Sequence, residues 1–281
     1  MYGGDLLGNL WRFDVNGDIP TEVDPPVYDA QRLATLKDTN GVAQPITARP
    51  ELGKVKDYPV VFVATGQLLG SGDLSSAQRQ SVYAIKDRLT NDDYGSPRPL
   101  IPAQVAPTPG QFVNQTPTNT TLLGAPLVCS TDDADATDGD GGYCVSGEGI
   151  VKSTADTVDF NTKDGWYMDF PVAGERVNTD LRLVQGTLAF NTNTPQSGAC
   201  VPVGVSYAYF LDYRTGGYVE GSNGLIGVRL GSYLAAAPSI IRLEDGTIKE
   251  LVRTDSPSTL VKEVPTAPTL FSTRRISWRE L

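Results

Sequence analysis

The phrase Tyr2-Gly3-Gly4-Asp5-Leu6-Leu7-Gly8-Asn9-Leu10-Trp11-Arg12-Phe13-Asp14 constrains the fold of this chain more than any other. Its glycines suit a tight turn, and beyond it Leu10, Arg12 and Asp14 alternate with Trp11 and Phe13. That period of two belongs to a β-strand whose faces meet different surroundings. The phrase is predicted to form two strands joined by a turn. A strand pair alone leaves a sheet unfinished, so the chain is expected to begin partway through one, with further polypeptide upstream of Tyr2.

The remainder reads the same way. The 29 Gly and 20 Pro, against two Met, call for many short strands and turns rather than long helices. With 281 residues and 40% hydrophobic content there is material for one large all-β domain or two small ones. Four segments end in a mixed aromatic and aliphatic strand followed by a turn: Leu10 to Val15, Ser81 to Asp87, Val205 to Asp212 and Ser239 to Leu243. Val60 to Gly66 followed by Gln80 to Asp87 reads as an apolar inner strand and an outer strand; Gly186 to Thr192 and Ser206 to Asp212 repeat the scheme. A further unit is expected from Ile226 to Leu230, Pro238 to Leu243 and Thr247 to Arg253, with Glu244-Asp245-Gly246 as its hairpin turn. A last strand, about 273–280, needs a partner elsewhere. Repeated sheets of this kind point to an all-β, quinoprotein-like β-propeller. About four blades, one incomplete, sit at the low end of closed rings, so an arc is expected over residues 1–281. Residues 91–149, rich in Pro, Thr, Asn, Asp and Gly, interrupt the pattern as an insertion loop, either a recognition surface or a spacer.

Three phrases carry a family resemblance: Gly4-Asp5-Leu6-Leu7-Gly8-Asn9-Leu10-Trp11-Arg12-Phe13-Asp14 near the start, Asp164-Gly165-Trp166-Tyr167-Met168-Asp169-Phe170-Pro171 in the middle, and Arg275-Ile276-Ser277-Trp278-Arg279-Glu280-Leu281 at the end. In this order they resemble the C-terminal propeller of the PilY family, type IV pilus tip and biogenesis factors. The resemblance implies a non-enzymatic assembly or adhesion factor, outside the cell at the pilus tip or outer-membrane surface. Its implied partners are minor pilins, a host or abiotic surface, and the N-terminal remainder of the parent protein. The family's calcium loop lies just before the Tyr-x-Gly-Asp strand, where this chain has only Met1, so its ligands map onto no residue here.

Charge and motif bound the alternatives. A net charge of −10 repels nucleic acid, and no window offers the roughly 20 apolar residues of a membrane span. The run containing Asp133, Asp135, Asp138 and Asp140 offers hard oxygen ligands for Ca²⁺, yet it departs from an EF-hand: counted from Asp133, position 6 is Asp138 rather than Gly and position 12 is Cys144 rather than Glu. It is either a calcium site or a solvated acidic loop. Asp14, Asn16 and Asp18 read as turn residues. Cys129 and Cys144 flank the acidic loop and are expected to pair in a disulfide, the alternative being two unrelated thiols; Cys200 is free or paired outside the chain. With no His anywhere, ordinary Ser-His-Asp and Cys-His catalysis are unavailable. Gly66 to Gly72 lacks the Lys and the following helix of a phosphate loop and reads as a turn. The rival readings are a secreted propeller enzyme, hydrolase or quinone-dependent dehydrogenase, with carboxylates in its channel, and a carbohydrate-binding propeller with aromatics on one face. Trp11, Trp166 and Trp278 read more simply as packing residues.

Overall fold

Four β-sheets follow one another along the chain in a computed structural model that describes residues 1–15, 30–90, 93–100, 111–117, 149–151, 156–196, 203–222, 224–254 and 259–266. The first sheet is β1 (Tyr2–Gly4), β2 (Asn9–Phe13) and β3 (Ala30–Thr35). The second is built from β4 (Glu51–Val55), β5 (Tyr58–Ala64), β6 (Ser81–Lys86), β7 (Phe112–Asn114) and β9 (Gly165–Asp169), in the order β4-β5-β6-β9-β7. The third has the order β10-β11-β12-β13-β8, from β8 (Gly149–Val151), β10 (Arg182–Val184), β11 (Thr187–Gln196), β12 (Val203–Asp212) and β13 (Leu225–Gly231). The fourth is β14 (Ser239–Arg242), β15 (Ile248–Arg253) and β16 (Thr259–Glu263). All pairings are antiparallel except β7 with β9. The described residues hold one 3₁₀ helix, Ser71–Ser75, and no helix long and apolar enough to cross a membrane.

The sheets stack face to face. Leu10, Leu33 and Ala34 of the first share a core with Val61, Val63, Tyr83 and Ile85 of the second. The opposite face of the second, Val60, Phe62, Ala64, Val82, Trp166 and Met168, packs on Leu188, Phe190, Tyr209 and Leu211 of the third. The third sheet's other face offers Ala189, Ala208 and Phe210 to Ile248 and Val252 of the fourth. A strand buried on one face alternates polar and apolar residues, whereas a strand covered on both faces has no polar side. That is why Val60-Val61-Phe62-Val63-Ala64 is apolar without interruption while β15 alternates buried and half-buried residues.

Two glycines set close approaches. Gly216, at φ +70° in the turn after β12, lies against the Trp166 ring, and a Cβ there would fall 2.5 Å from the indole. Gly165, at φ +145°, opens β9 so near Ala84 that a Cβ would sit 1.8 Å from its carbonyl oxygen. Both conformations are ones that L side chains rarely adopt.

The opening strand pair forms as expected, with Gly4 opposite Leu10 and Tyr2 opposite Arg12. The hairpin at Glu244-Asp245-Gly246 is also present, closed by Leu243 and Thr247. Three expectations are corrected. Ser81–Lys86 is not an outer strand: β9 pairs with its free edge, as a wholly buried strand requires. Ile226–Leu230 belongs to β13, bonded to β12 of the third sheet, and the fourth sheet takes Thr259–Glu263 in its place. Trp11, read as a packing residue, is half-buried and does not face the neighbouring sheet; Leu10 and Arg12 do. The described parts of 91–149 are integral: β7 adds a parallel strand to β9, and Tyr94 and Arg98 are buried. The expected strand at 273–280 lies outside the described residues.

Candidate functional site

Functional chemistry in a stack of this kind sits either in the seams between sheets or on the faces left open at its ends. The seam between the first and second sheets carries polar clusters beside its shared apolar core. Strand β9 ends at Asp169, and the loop after β6 brings Arg98 onto it, with Nη2 2.6 and 2.5 Å from the two carboxylate oxygens. Ser81 donates to the same carboxylate at 2.6 Å, the Gln44 amide donates to Ser81, and the Tyr83 hydroxyl donates to the Gln44 carbonyl oxygen at 2.6 Å. Arg98 lies 4.9 Å from the centre of the Tyr167 ring. Burial pushes the Tyr83 phenol well above its ordinary range. Nearby, Arg12 donates to Asp87 at 2.7 Å and to the Thr90 carbonyl, while the Tyr2 hydroxyl donates to the other Asp87 oxygen at 2.7 Å. Arg88 grips Asp164 with two hydrogen bonds, and Lys86 lies 3.2 Å from the same carboxylate. Each of these carboxylates faces a cation in a place poor in water, where a paired charge holds geometry and an unpaired one would be costly.

The second seam is aromatic, with one carboxyl inside it. Phe190 and Tyr209 stack at 5.2 Å, Phe170 packs on both, and Trp166 donates to the Tyr213 carbonyl. Glu175 is fully buried among them; its carboxylate accepts from Thr192 at 2.6 Å, Tyr209 at 2.8 Å and the Val172 amide. Burial outweighs these donors and pushes its carboxyl up to about 7. Next to it, Arg176 donates to the carbonyls of Gln67, Asp73 and Ser76, clamping the glycine-rich stretch 66–76. Asp73 accepts from the amides of Leu69 and Gly70. Within this stretch Ser71–Ser75 forms a 3₁₀ turn.

The third seam, between the third and fourth sheets, combines apolar residues with buried polar ones, among them Thr187, Asn191, Asn193, Ser206 and Glu250. The outer faces at the two ends expose apolar side chains among charged ones such as the Lys249–Glu263 pair. On the first sheet, Phe13 is 39% exposed beside half-buried Trp11. On the fourth, Leu251 and Val261 are cross-strand partners pointing away from the third sheet; Val261 is 42% exposed, and Ile241 on the same face 38%.

Asp133, Asp135, Asp138 and Asp140, the calcium candidates, and Cys129 and Cys144, the disulfide candidates, lie outside the described residues, as do Cys200 and Trp278. Among the described residues no group of three or more His, Cys, Asp or Glu is placed to hold a metal ion. Sequence reasoning passed over Arg98, Asp169, Glu175 and Glu250. For Asp169 a signal existed, a carboxylate directly following a wholly apolar strand; the others sit in stretches whose burial only the fold reveals.

No family model matches the chain. Relatives do. The type IV pilus biogenesis factor PilY1 of Pseudomonas aeruginosa is 28% identical over 246 residues, covering 77% of this chain and 19% of the relative. A PilY1 homolog of Xylella fastidiosa is 27% identical over 307 residues, covering all of this chain and 21% of the relative. The chain thus spans about a fifth of the length of the curated relatives it matches. Among solved structures, the crystal structure of the Pseudomonas aeruginosa PilY1 C-terminal domain superimposes with a TM-score of 0.56 at 20% identity, over 93% of this chain and 56% of that one. The fold is that of a β-propeller, and the chain is similar to the C-terminal part of PilY1 proteins.

Two outcomes test the seams. Arg98→Met leaves Asp169 a buried, uncompensated charge and is expected to cost about 3–5 kcal/mol in urea unfolding, whereas Arg98→Met with Asp169→Leu is expected to recover a large part of that loss. Glu175 binds its proton more tightly folded, at about 7, than at the ordinary 4.5. Its contribution is therefore complete below pH 4.5 and lost as pH rises through 7. Glu175→Gln is expected to flatten the fall of stability between those values by up to about 1.4 kcal/mol per pH unit, measured by denaturant melts at stepped pH.

Proposed function

We propose that this chain is the propeller portion of a type IV pilus-associated protein, a non-enzymatic factor that docks on minor pilins at the pilus tip and serves pilus assembly or surface adhesion. The observation that carries the reading is sequence similarity over 77% to 100% of the chain to proteins named type IV pilus biogenesis factors. The architecture supports it. The buried carboxyls of the described residues are packed within seams and matched mainly to Arg, Lys, Tyr or Thr, an arrangement suited to rigidity. In this reading the protein works outside the cell, at the pilus tip or outer-membrane surface.

The open end faces belong to the same proposal. The chain covers 56% of the solved domain it superimposes on. Further blades from the parent protein would cover Trp11 and Phe13 at one end and Val261 and Ile241 at the other, closing the array. The acidic run Asp133, Asp135, Asp138 and Asp140 is its calcium candidate and Cys129 with Cys144 its disulfide candidate. A carbohydrate-binding reading draws on one observation, the neighbouring Trp11 and Phe13 on a single exposed face.

Crosslinking mass spectrometry of the natively isolated assembly tests the proposal. Minor pilins linked to loops of this chain in fixed ratio are the expected result. Isolation without any pilin, together with retention on immobilised glycan that Trp11→Ala abolishes, would overturn it in favour of carbohydrate binding.

A further inference from the structure

We propose that the seam between the third and fourth sheets is a pH-sensitive latch: Glu250 holds the fourth sheet docked while it carries a proton and releases it on ionising. The second and third sheets are each packed through both faces. Among the described residues the fourth sheet packs on a neighbour through one face, and Ile241 and Val261 stand exposed on the other. Within this chain its docking thus rests on a single seam. An element held by one apolar face opens locally at lower free energy than one packed on both sides.

A carboxyl sits in the middle of that seam. Strand β15 is the central strand of the sheet, and its alternation puts Ile248, Glu250 and Val252 on the face turned to the third sheet. Glu250 is fully buried, and neither of its carboxylate oxygens has a hydrogen-bond partner. The contrast with the other seams is plain. Asp87, Asp164 and Asp169 face Arg or Lys, and Glu175 accepts from Thr192, Tyr209 and the Val172 amide. Glu250 lacks the donors that make an ionised carboxylate tolerable away from water.

Its neighbours do little to compensate. In the ladder Glu250 stands between Ile240 of β14 and Lys262 of β16. The third sheet lines the seam with Ala189, Ala208, Phe210 and Leu230 and with the buried amides of Asn191 and Asn193, none of which titrates. Lys262 is the charged group that bears on it. Burial outweighs both Asn191 and Lys262 and pushes the Glu250 carboxyl up to about 7.

The direction of the pH dependence follows. A carboxyl that binds its proton more tightly docked, at about 7, than at the ordinary 4.5 stabilises docking fully below 4.5. That contribution is lost as pH rises through 7. Lys262 works in the opposite sense, because burial lowers its proton affinity and the penalty is relieved as it becomes neutral at higher pH. The loss between pH 6 and pH 8 is therefore set by Glu250, and the opened population of the fourth sheet is expected to rise roughly tenfold across that interval.

Hydrogen exchange read by mass spectrometry on the natively isolated protein, at pH 6 and pH 8 and corrected for the intrinsic pH dependence of exchange, decides the matter. The expected result is a roughly tenfold loss of protection in Ile248–Arg253 and Thr259–Glu263 at the higher pH. Glu250→Gln, neutral at both values, is expected to remove that step, while Glu175→Gln, which acts in the second seam, is expected to leave it. Equal corrected protection of these two strands at both pH values in the wild-type protein would overturn the proposal, as would a step that persists in Glu250→Gln.

Discussion

Burial of Trp166 between the second and third sheets is the interaction on which the rest of the structure depends. The indole lies against Phe62, is capped by the Gly216 turn and is fastened through its N–H to the Tyr213 carbonyl. Around it the two sheets whose strands are covered on both faces lose their last apolar surface to water. Neither has a polar face to turn outward, so each needs a neighbour on both sides, and the four-sheet array follows from that need. Removing an aromatic of this size from a packed core typically costs about 3–5 kcal/mol, a large fraction of the stability of an ordinary domain.

The three seams are made of different chemistry, which gives each pair of sheets only one good partner. The Arg12–Asp87 pair ties the first sheet to the loop after β6, while the pairs at Asp164 and Asp169 brace the second sheet against its own loops. The aromatic seam supplies area. The last seam mixes alanines with Phe210, Leu230, Ile248 and Val252, and holds Asn191, Asn193 and Glu250 buried among them. Buried charge adds little net stability, but it penalises wrong pairings heavily.

Much of the architecture could be read in advance, and the reasons are local. The Tyr2 to Asp14 pair, the run Val60 to Ala64 and the Glu244-Asp245-Gly246 turn declare themselves by periodicity and turn chemistry. Ile226–Leu230 was misassigned because an apolar strand bears no mark of which sheet it will join. Thr259–Glu263 escaped notice because an edge strand with Lys and Glu on it resembles a polar loop. The site was far less legible. Nothing near Arg98, in a stretch dense in Pro and Gly, signals burial, and the burial of Glu250 in an otherwise alternating strand depends on two sheets docking.

The proposal for the whole protein is that these sheets form part of a longer array whose end faces are covered. Hydroxyl-radical footprinting of the natively isolated protein tests it most directly. Protection of Trp11, Phe13 and Val261, with free oxidation of loop residues such as Leu69, is the result this account predicts; rapid oxidation of Trp11 and Phe13 in the intact, folded protein would contradict it.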